Sequence, residues 1–247
     1  MAFKYCYLLP IIQGVLYPVT FIVTYTLSVA KGHVSAILPY VSDTGVWSLE
    51  RSIFSFMLGF GALLMLLTFY IRYRQVKDIL DRNNGEKLQS KLSRIHRVSF
   101  YCTFLSVVGV FTLGCFQVKP FFATHVVGAA TAFGFGWFVL VIQTYISFKI
   151  YPLLGSKGLN TLRAVVLGII TTALILTLVF GVMSFTYFTG DDITKWTEDS
   201  GGYNYHLIST GSEWFLIFGV VFYLSLYAVE FKPIVIFKPK IKLTNEV

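Results

Sequence analysis

Six stretches of this chain, roughly residues 6–30, 52–71, 98–118, 121–148, 164–188 and 210–229, run almost without charge. Each is long enough for an α-helix to cross the ~30 Å hydrocarbon core of a bilayer, which takes about 20 residues. A chain of 247 residues that is 55% hydrophobic and only 13% charged has more apolar surface than one water-soluble core can bury, since charged residues make up about a quarter of an ordinary globular domain. A membrane β-barrel is excluded, because it would show alternating segments of about ten residues. In hydrocarbon a helix satisfies its own backbone hydrogen bonds. The expected fold is therefore all-α: a polytopic bundle of six transmembrane helices, forming one domain over residues 1–247.

Lysine and arginine set the expected orientation. With a cytosolic N-terminus, sixteen of the 20 basic residues face the cytosol. Lys31, Arg51, Lys119 and Lys195 are the exceptions, and both termini are then cytosolic. The net charge of +8 reads as membrane orientation, and no nucleic-acid partner is expected. Lys4 followed by an apolar run and Ser28-Val29-Ala30 also resembles a cleavable signal. The run is longer than a signal core and is interrupted by Pro10, Gln13 and Pro18, so an uncleaved helix is expected.

The connector 72–97 begins helically with Val76, Ile79 and Leu80 on one side. It breaks at Asn83-Asn84-Gly85 and resumes with Leu88, Leu92 and Ile95 at helical spacing. Lys87, Lys91, Arg94 and Arg97 are candidate contacts to anionic lipid at the cytosolic face, each contributing on the order of 1 kcal/mol; ordinary positive-inside topology accounts for the same residues. In the fourth span Gly128, Ala132 and Gly136 recur at intervals of four and offer a small-residue stripe for close helix packing. Cys6, Cys102 and Cys115 give no disulfide framework.

Ionisable groups at membrane depth are costly and mark candidate sites. Asp43, Glu50 and Arg51 precede the second span, His125 starts the fourth, and His206 and Glu213 flank the start of the sixth. All fall on the non-cytosolic side as a candidate lumenal or extracellular polar cluster. The stretch PYVSDTG (39–45) reads as an Asx- or Ser-type turn. It would form a lid on the bundle, tied down by charge pairs of Asp43 or Glu50 with Arg51 or a histidine. Ser48 offers a helix N-cap, with Glu50 placed well for the helix N-terminus. The spacing matches no metal or nucleophile motif, so no catalytic residue, metal or cofactor is expected. Capping and interhelical hydrogen bonds account for these residues at less cost than zinc or acid–base chemistry. Mid-span charges that would mark a conduit are scarce.

PYVSDTG followed by LER (49–51), YIRYRQV (70–76), FATHVVGA (122–129), IQT (142–144) and GYNYHLISTGSEW (202–214) resemble the damage-regulated autophagy modulator (DRAM) family, in order and over nearly the whole chain. The resemblance implies a six-helix protein of lysosomal or other endomembranes that modulates autophagy without known enzymatic activity, through membrane lipids or a protein partner not yet identified. The wider family also looks to include a plasma-membrane scaffold for a phosphatidylinositol 4-kinase complex and a factor for GPI-anchor lipid remodelling. A lipid-modifying enzyme using His125, His206 and Glu213 is the remaining alternative. The positions carried over by motif are Pro39, Tyr40, Ser42, Asp43, Thr44, Gly45, Glu50, His125, Gly128, His206, Glu213 and Trp214. Leu49 stands where relatives often have proline. The basic tail after Lys232 lacks the tyrosine-based or dileucine signal of a lysosomal member.

Overall fold

The computed structural model describes residues 2–82 and 86–237, with side chains described for 4–82 and 90–237. Six helices in it are long and apolar enough to cross a membrane. They are α1 (Leu8–Ala30), α2 (Ser48–Arg82), α3 (Glu86–Cys115), α4 (Phe122–Ile150), α5 (Lys157–Tyr187) and α6 (Tyr203–Ser225), the last prolonged by the short α7 (Tyr227–Phe231). Each helix packs on its neighbour in sequence and α1 closes on α6, so the six form a ring. Side chains such as Phe56, Val182 and Phe215 stand exposed on its outer surface, where hydrocarbon rather than water is the solvent.

Helix lengths depart from the apolar runs at one end. α2 continues through RYRQVKDILDR to Arg82, and its 35 residues correspond to about 52 Å, well beyond the hydrocarbon core. The reason is visible in its packing. Val76 of α2, Leu92 of α3 and Ile142, Ile146 and Ile150 of α4 form a small apolar core, with Leu80 and Ile95 against it. The helical spacing in the connector thus builds two extended helices rather than a loop. The expected break at Asn83-Asn84-Gly85 and the tail lysines lie outside the described residues, and the side chains of Lys87 and Leu88 lie outside the described side chains.

At the other end α3 stops at Cys115, short of the expected residue 118. There Gln117 Nε2 donates to the carbonyls of Cys115 (3.0 Å) and Gly114 (3.4 Å), and His125 Nδ1 donates to Phe116 O (2.7 Å). These side chains take up carbonyls that a continuing helix would have used. α6 begins at Gly201-Gly202. Gly202 holds φ +78, and a Cβ there would lie 2.7 Å from Ser184 O, so only glycine lets α6 start this close to α5. The pairing of β1 (Ala2–Phe3) with β2 (Ile236–Phe237) brings the first and last described segments together. This is called the terminal end below, and the opposite one the far end.

Candidate functional site

PYVSDTG lies across the far end of the ring. Ser42–Gly45 is a single 3-10 turn, closed by Asp43 N to Tyr40 O (3.1 Å), Thr44 N to Val41 O (3.3 Å) and Val46 N to Asp43 O (3.3 Å); backbone bonds build it where an Asx- or Ser-type turn was expected. The lid is tied to α1 by the Thr24 and Thr44 hydroxyls (2.9 Å) and by Ser28 Oγ donating to Thr44 O (2.8 Å). It is tied to α6 by Trp214 Nε1 to Pro39 O (2.9 Å), Tyr40 OH to Ser209 Oγ (2.8 Å) and Val41 N to Glu213 Oε2 (2.7 Å). Neutral donors carry these bonds to α1 and α6, and among the described residues Asp43 has no ion pair. On α2, Phe54 lies against Gly45, where a Cβ would come within 2.6 Å of its ring.

The six residues expected to form one polar cluster divide into separate groups. Asp43 and Glu213 belong together: both are buried, at 2% and 9% exposure, and among the described residues neither has a salt-bridge partner. Asp43 Oδ2 has no hydrogen-bond partner. Burial first, and then the Glu213 carboxylate, push the Asp43 carboxyl well above its usual range. Burial likewise pushes the Tyr40 phenol up to about 12. His206 is apart from this pair, stacked on Trp196 (centroids 4.1 Å apart) and edge-on to Tyr40 (5.2 Å).

Glu50 pairs elsewhere, with His33 Nδ1 at 3.0 Å and Lys31 Nζ at 3.4 Å. A histidine is its partner, as expected in kind, but it is His33, a residue the sequence did not single out. Arg51 makes no ion pair among the described residues and is exposed beside a shallow depression lined by Ser52, Ser55, Cys115 and Gln117. His125 is spent on the end of α3. No group of three or more His, Cys, Asp or Glu side chains gathers at metal-binding distance among the described residues.

Beneath the lid a cleft of about 120 Å³ runs down the middle of the ring, with lining residues from all six helices. Its lining is polar at the lid, where Ser42, His125 and Glu213 meet it, and almost wholly apolar below, down to Phe69 and Leu224. Thr103 and Ser106 also line it, but their hydroxyls donate to the backbone carbonyls of Ser99 (3.0 Å) and Ala132 (2.8 Å). On its α3–α4 side the backbones come close. A Cβ on Gly109 would lie 2.3 Å from Ala132 N, one on Gly128 2.9 Å from Leu113 N, and one on Gly136 3.1 Å from Ser106 Oγ.

A second set of deeply buried charges lies at the terminal end, beyond the expectation that span-end ionisable groups gather on the other side. Arg72 and Arg163, counted from sequence as loop residues, are both 0% exposed and converge on Glu230, at 3%. Arg163 grips the carboxylate with two nitrogens (3.0 and 2.6 Å) and Arg72 Nη1 reaches it at 3.1 Å. Arg72 also donates to Gln143 Oε1 (3.3 Å) and Ser147 Oγ (3.0 Å), and the Tyr227 ring faces both guanidinium groups. Only the acid at the end of the sixth apolar run hinted at this. Lys91, Arg94 and Arg97 are exposed along α3 beyond the bundle.

The sequence matches the family described as the Frag1/DRAM/Sfk1/Cwh43P N-terminal domain over residues 5–234. It is 33% identical over 218 residues to DNA damage-regulated autophagy modulator protein 2 of Mus musculus, covering 87% of this chain and 79% of that one. It is 31% identical over 219 residues to DNA damage-regulated autophagy modulator protein 1 of Homo sapiens, covering 87% and 86%. A shorter match, 28% identical over 155 residues and covering 62% of each chain, is to the modulator of macroautophagy TMEM150B-B of Xenopus laevis. No solved structure matches the chain.

Proposed function

Because the chain belongs to the Frag1/DRAM/Sfk1/Cwh43P N-terminal domain family, we propose that it is a multipass membrane protein that modulates autophagy without chemistry of its own, through lipid and protein contacts at an endomembrane, the lysosomal one foremost. The relatives' names as autophagy modulators support the role. The observation that carries the mode of action is the pair of extended helices at the terminal end. Their apolar sides are consumed in the small core of Val76, Leu92 and Ile146, which leaves Arg74, Lys77, Lys91, Arg94 and Arg97 on the outside. With the terminal end in the cytosol, that basic face lies against an anionic leaflet or an acidic partner, at on the order of 1 kcal/mol per charge.

The test is autophagic flux in cells lacking the protein, rescued by the intact chain or by one with Lys91, Arg94 and Arg97 changed to glutamine. Flux altered by the loss, restored by the first and not by the second, is the expected pattern. Normal flux in the null cells removes the role, and full rescue by the glutamine variant removes the basic face from it. The same tagged chains, imaged against organelle markers, report the compartment. Confinement to the plasma membrane turns the reading toward a lipid-kinase scaffold.

A further inference from the structure

The central cleft raises a question that the basic face does not answer. A ring of six helices in a bilayer gains by packing its interior as tightly as its walls, yet here the middle stays open and the Glu213 carboxylate lines one end of the opening without an ion pair among the described residues. Glu213 and Leu224, both lining the cleft, are eleven residues apart on α6, about 16 Å along the helix axis. The space is thus long, narrow and greasy, with a single polar end.

The chemistry of that end is selective. Among the described residues, the one hydrogen bond to the Glu213 carboxylate goes to Oε2, from Val41 N, and Asp43 Oδ2, two residues along the lid from Val41, has none. Buried carboxylates in this state call for a donor or a cation. Tyr17, Phe21 and Phe54 line the same part of the cleft, and aromatic faces add attraction for an ammonium group. An anionic head is disfavoured, because a phosphodiester or carboxylate would place another negative charge against Glu213. Thr103 and Ser106 farther down are already satisfied by backbone carbonyls, so nothing below the lid asks for a second polar group. The narrow bore suits one chain.

We propose that the cleft binds a long-chain amine, with the head-proximal part of its single alkyl chain laid between α2, α4 and α6 toward Leu224 and its protonated amine held under the lid by Glu213, the one carboxylate among the lining residues. Sphingoid bases and synthetic cationic amphiphiles share this chemistry. The lid supplies Val41 and Ser42 to the cleft wall, so its hydrogen bonds to α1 and α6 close the polar end over the bound head. This site stands apart from the basic face at the terminal end, and either assignment survives the loss of the other.

The experiment uses the full chain in nanodiscs of phosphatidylcholine. The probe is sphingosine carrying a diazirine in its chain and a terminal alkyne, with crosslinked residues read by mass spectrometry. Labelling is expected at cleft residues such as Leu58, Leu216 and Val220. Octadecylamine is expected to compete, whereas stearic acid and butylamine are not. Competition by octadecylamine equal to that by unlabelled sphingosine marks the amine and chain as the recognised groups. Clear preference for sphingosine narrows the ligand to the amino-diol head, still within the proposal. Glu213→Gln, which keeps an acceptor for Val41 N, is expected to weaken labelling by about ten- to a hundredfold. Val220→Phe, which leaves both carboxylates in place, is expected to abolish it by blocking the chain. Stearic acid competing as well as octadecylamine overturns the proposal. So does unchanged labelling of Glu213→Gln, or labelling confined to outward residues such as Val182 and Phe215. If Val220→Phe fails to fold, the glutamine variant and the competitors still decide.

Discussion

The two ends of the ring handle buried charge in different ways. At the terminal end one carboxylate is held by two arginines, each with a further neutral partner, although Arg163 Nε has none. At the far end Glu50 is paired, but Asp43 and Glu213 are buried without an ion pair among the described residues, and Asp43 Oδ2 has no partner. A paired group fixes helices against one another, because removing one member leaves the others stranded in a low dielectric. An unanswered group holds free energy that a ligand can release. The difference teaches that burial alone does not mark a binding site. The terminal-end cluster of Arg72, Arg163 and Glu230 is more deeply buried than Glu213, yet it reads as a clasp joining α2, α4, α5 and α7, and the end whose acid lacks a counter-charge is the one poised to bind.

The contrast breaks or sharpens in a definite order of effect. Glu230→Gln comes first: it leaves two buried guanidinium groups without their counter-charge and is expected to cost about 3–5 kcal/mol, read as loss of a monodisperse folded protein on heating in detergent. Arg163→Met should cost less, since Arg72 still answers Glu230. A cost as large as that of Glu230→Gln would mean that the clasp is not organised around the acid.

Tyr40→Phe, which removes the hydroxyl bonded to Ser209, is expected to cost about 1 kcal/mol, measured by the unfolding midpoint; no change would detach the lid from α6 at that point. Asp43→Asn should run the other way. Burial and Glu213 raise the Asp43 carboxyl in the folded chain, whereas the unfolded chain ionises near pH 4. The acid therefore leaves stability intact below about pH 4 and lowers it as pH rises toward the folded value. The variant is expected to melt a few degrees above the parent near pH 7 and level with it near pH 4, as thermal scans at the two pH values would report.

Smallest is Lys119→Ala, which breaks the exposed ion pair to Asp192 (2.8 Å) and is expected to cost about 0.2–1 kcal/mol. Burial of Asp192 acts upward, but the Lys119 ammonium and the Thr194 donors outweigh it and hold the carboxyl below its usual range. That contribution is present above about pH 4 and lost as pH falls through the folded value. Scans from neutral to acid pH are expected to show this small difference closing as the pH drops, the same direction in which the Asp43→Asn gain disappears.

Much of the architecture was legible in the chain, and the site was legible only in part. PYVSDTG announced a turn and a lid, because proline, glycine and short polar side chains constrain backbone locally. Gly128, Ala132 and Gly136 marked a face of α4, because helical period is local too. Glu50, in contrast, found His33 and Lys31 where Arg51 stood next in sequence, because a side chain's partner depends on which way its helix is turned. His125 and His206 went to a helix end and an aromatic stack, away from the carboxylates. Arg72 looked like any other basic residue of a positive connector, and nothing in the spacing of the basic residues over 72–97 told it from Arg74.

The sequence by itself determined six helices long and apolar enough to cross a membrane. The reason is that the backbone's need for hydrogen bonds in hydrocarbon is met within each helix. Only the tertiary structure decided which charges meet and what space they leave. Glu230 lies 158 residues from Arg72 and 67 from Arg163. Such meetings, like the open cleft under Glu213, are set by the rotation and register of packed helices, which no single segment encodes.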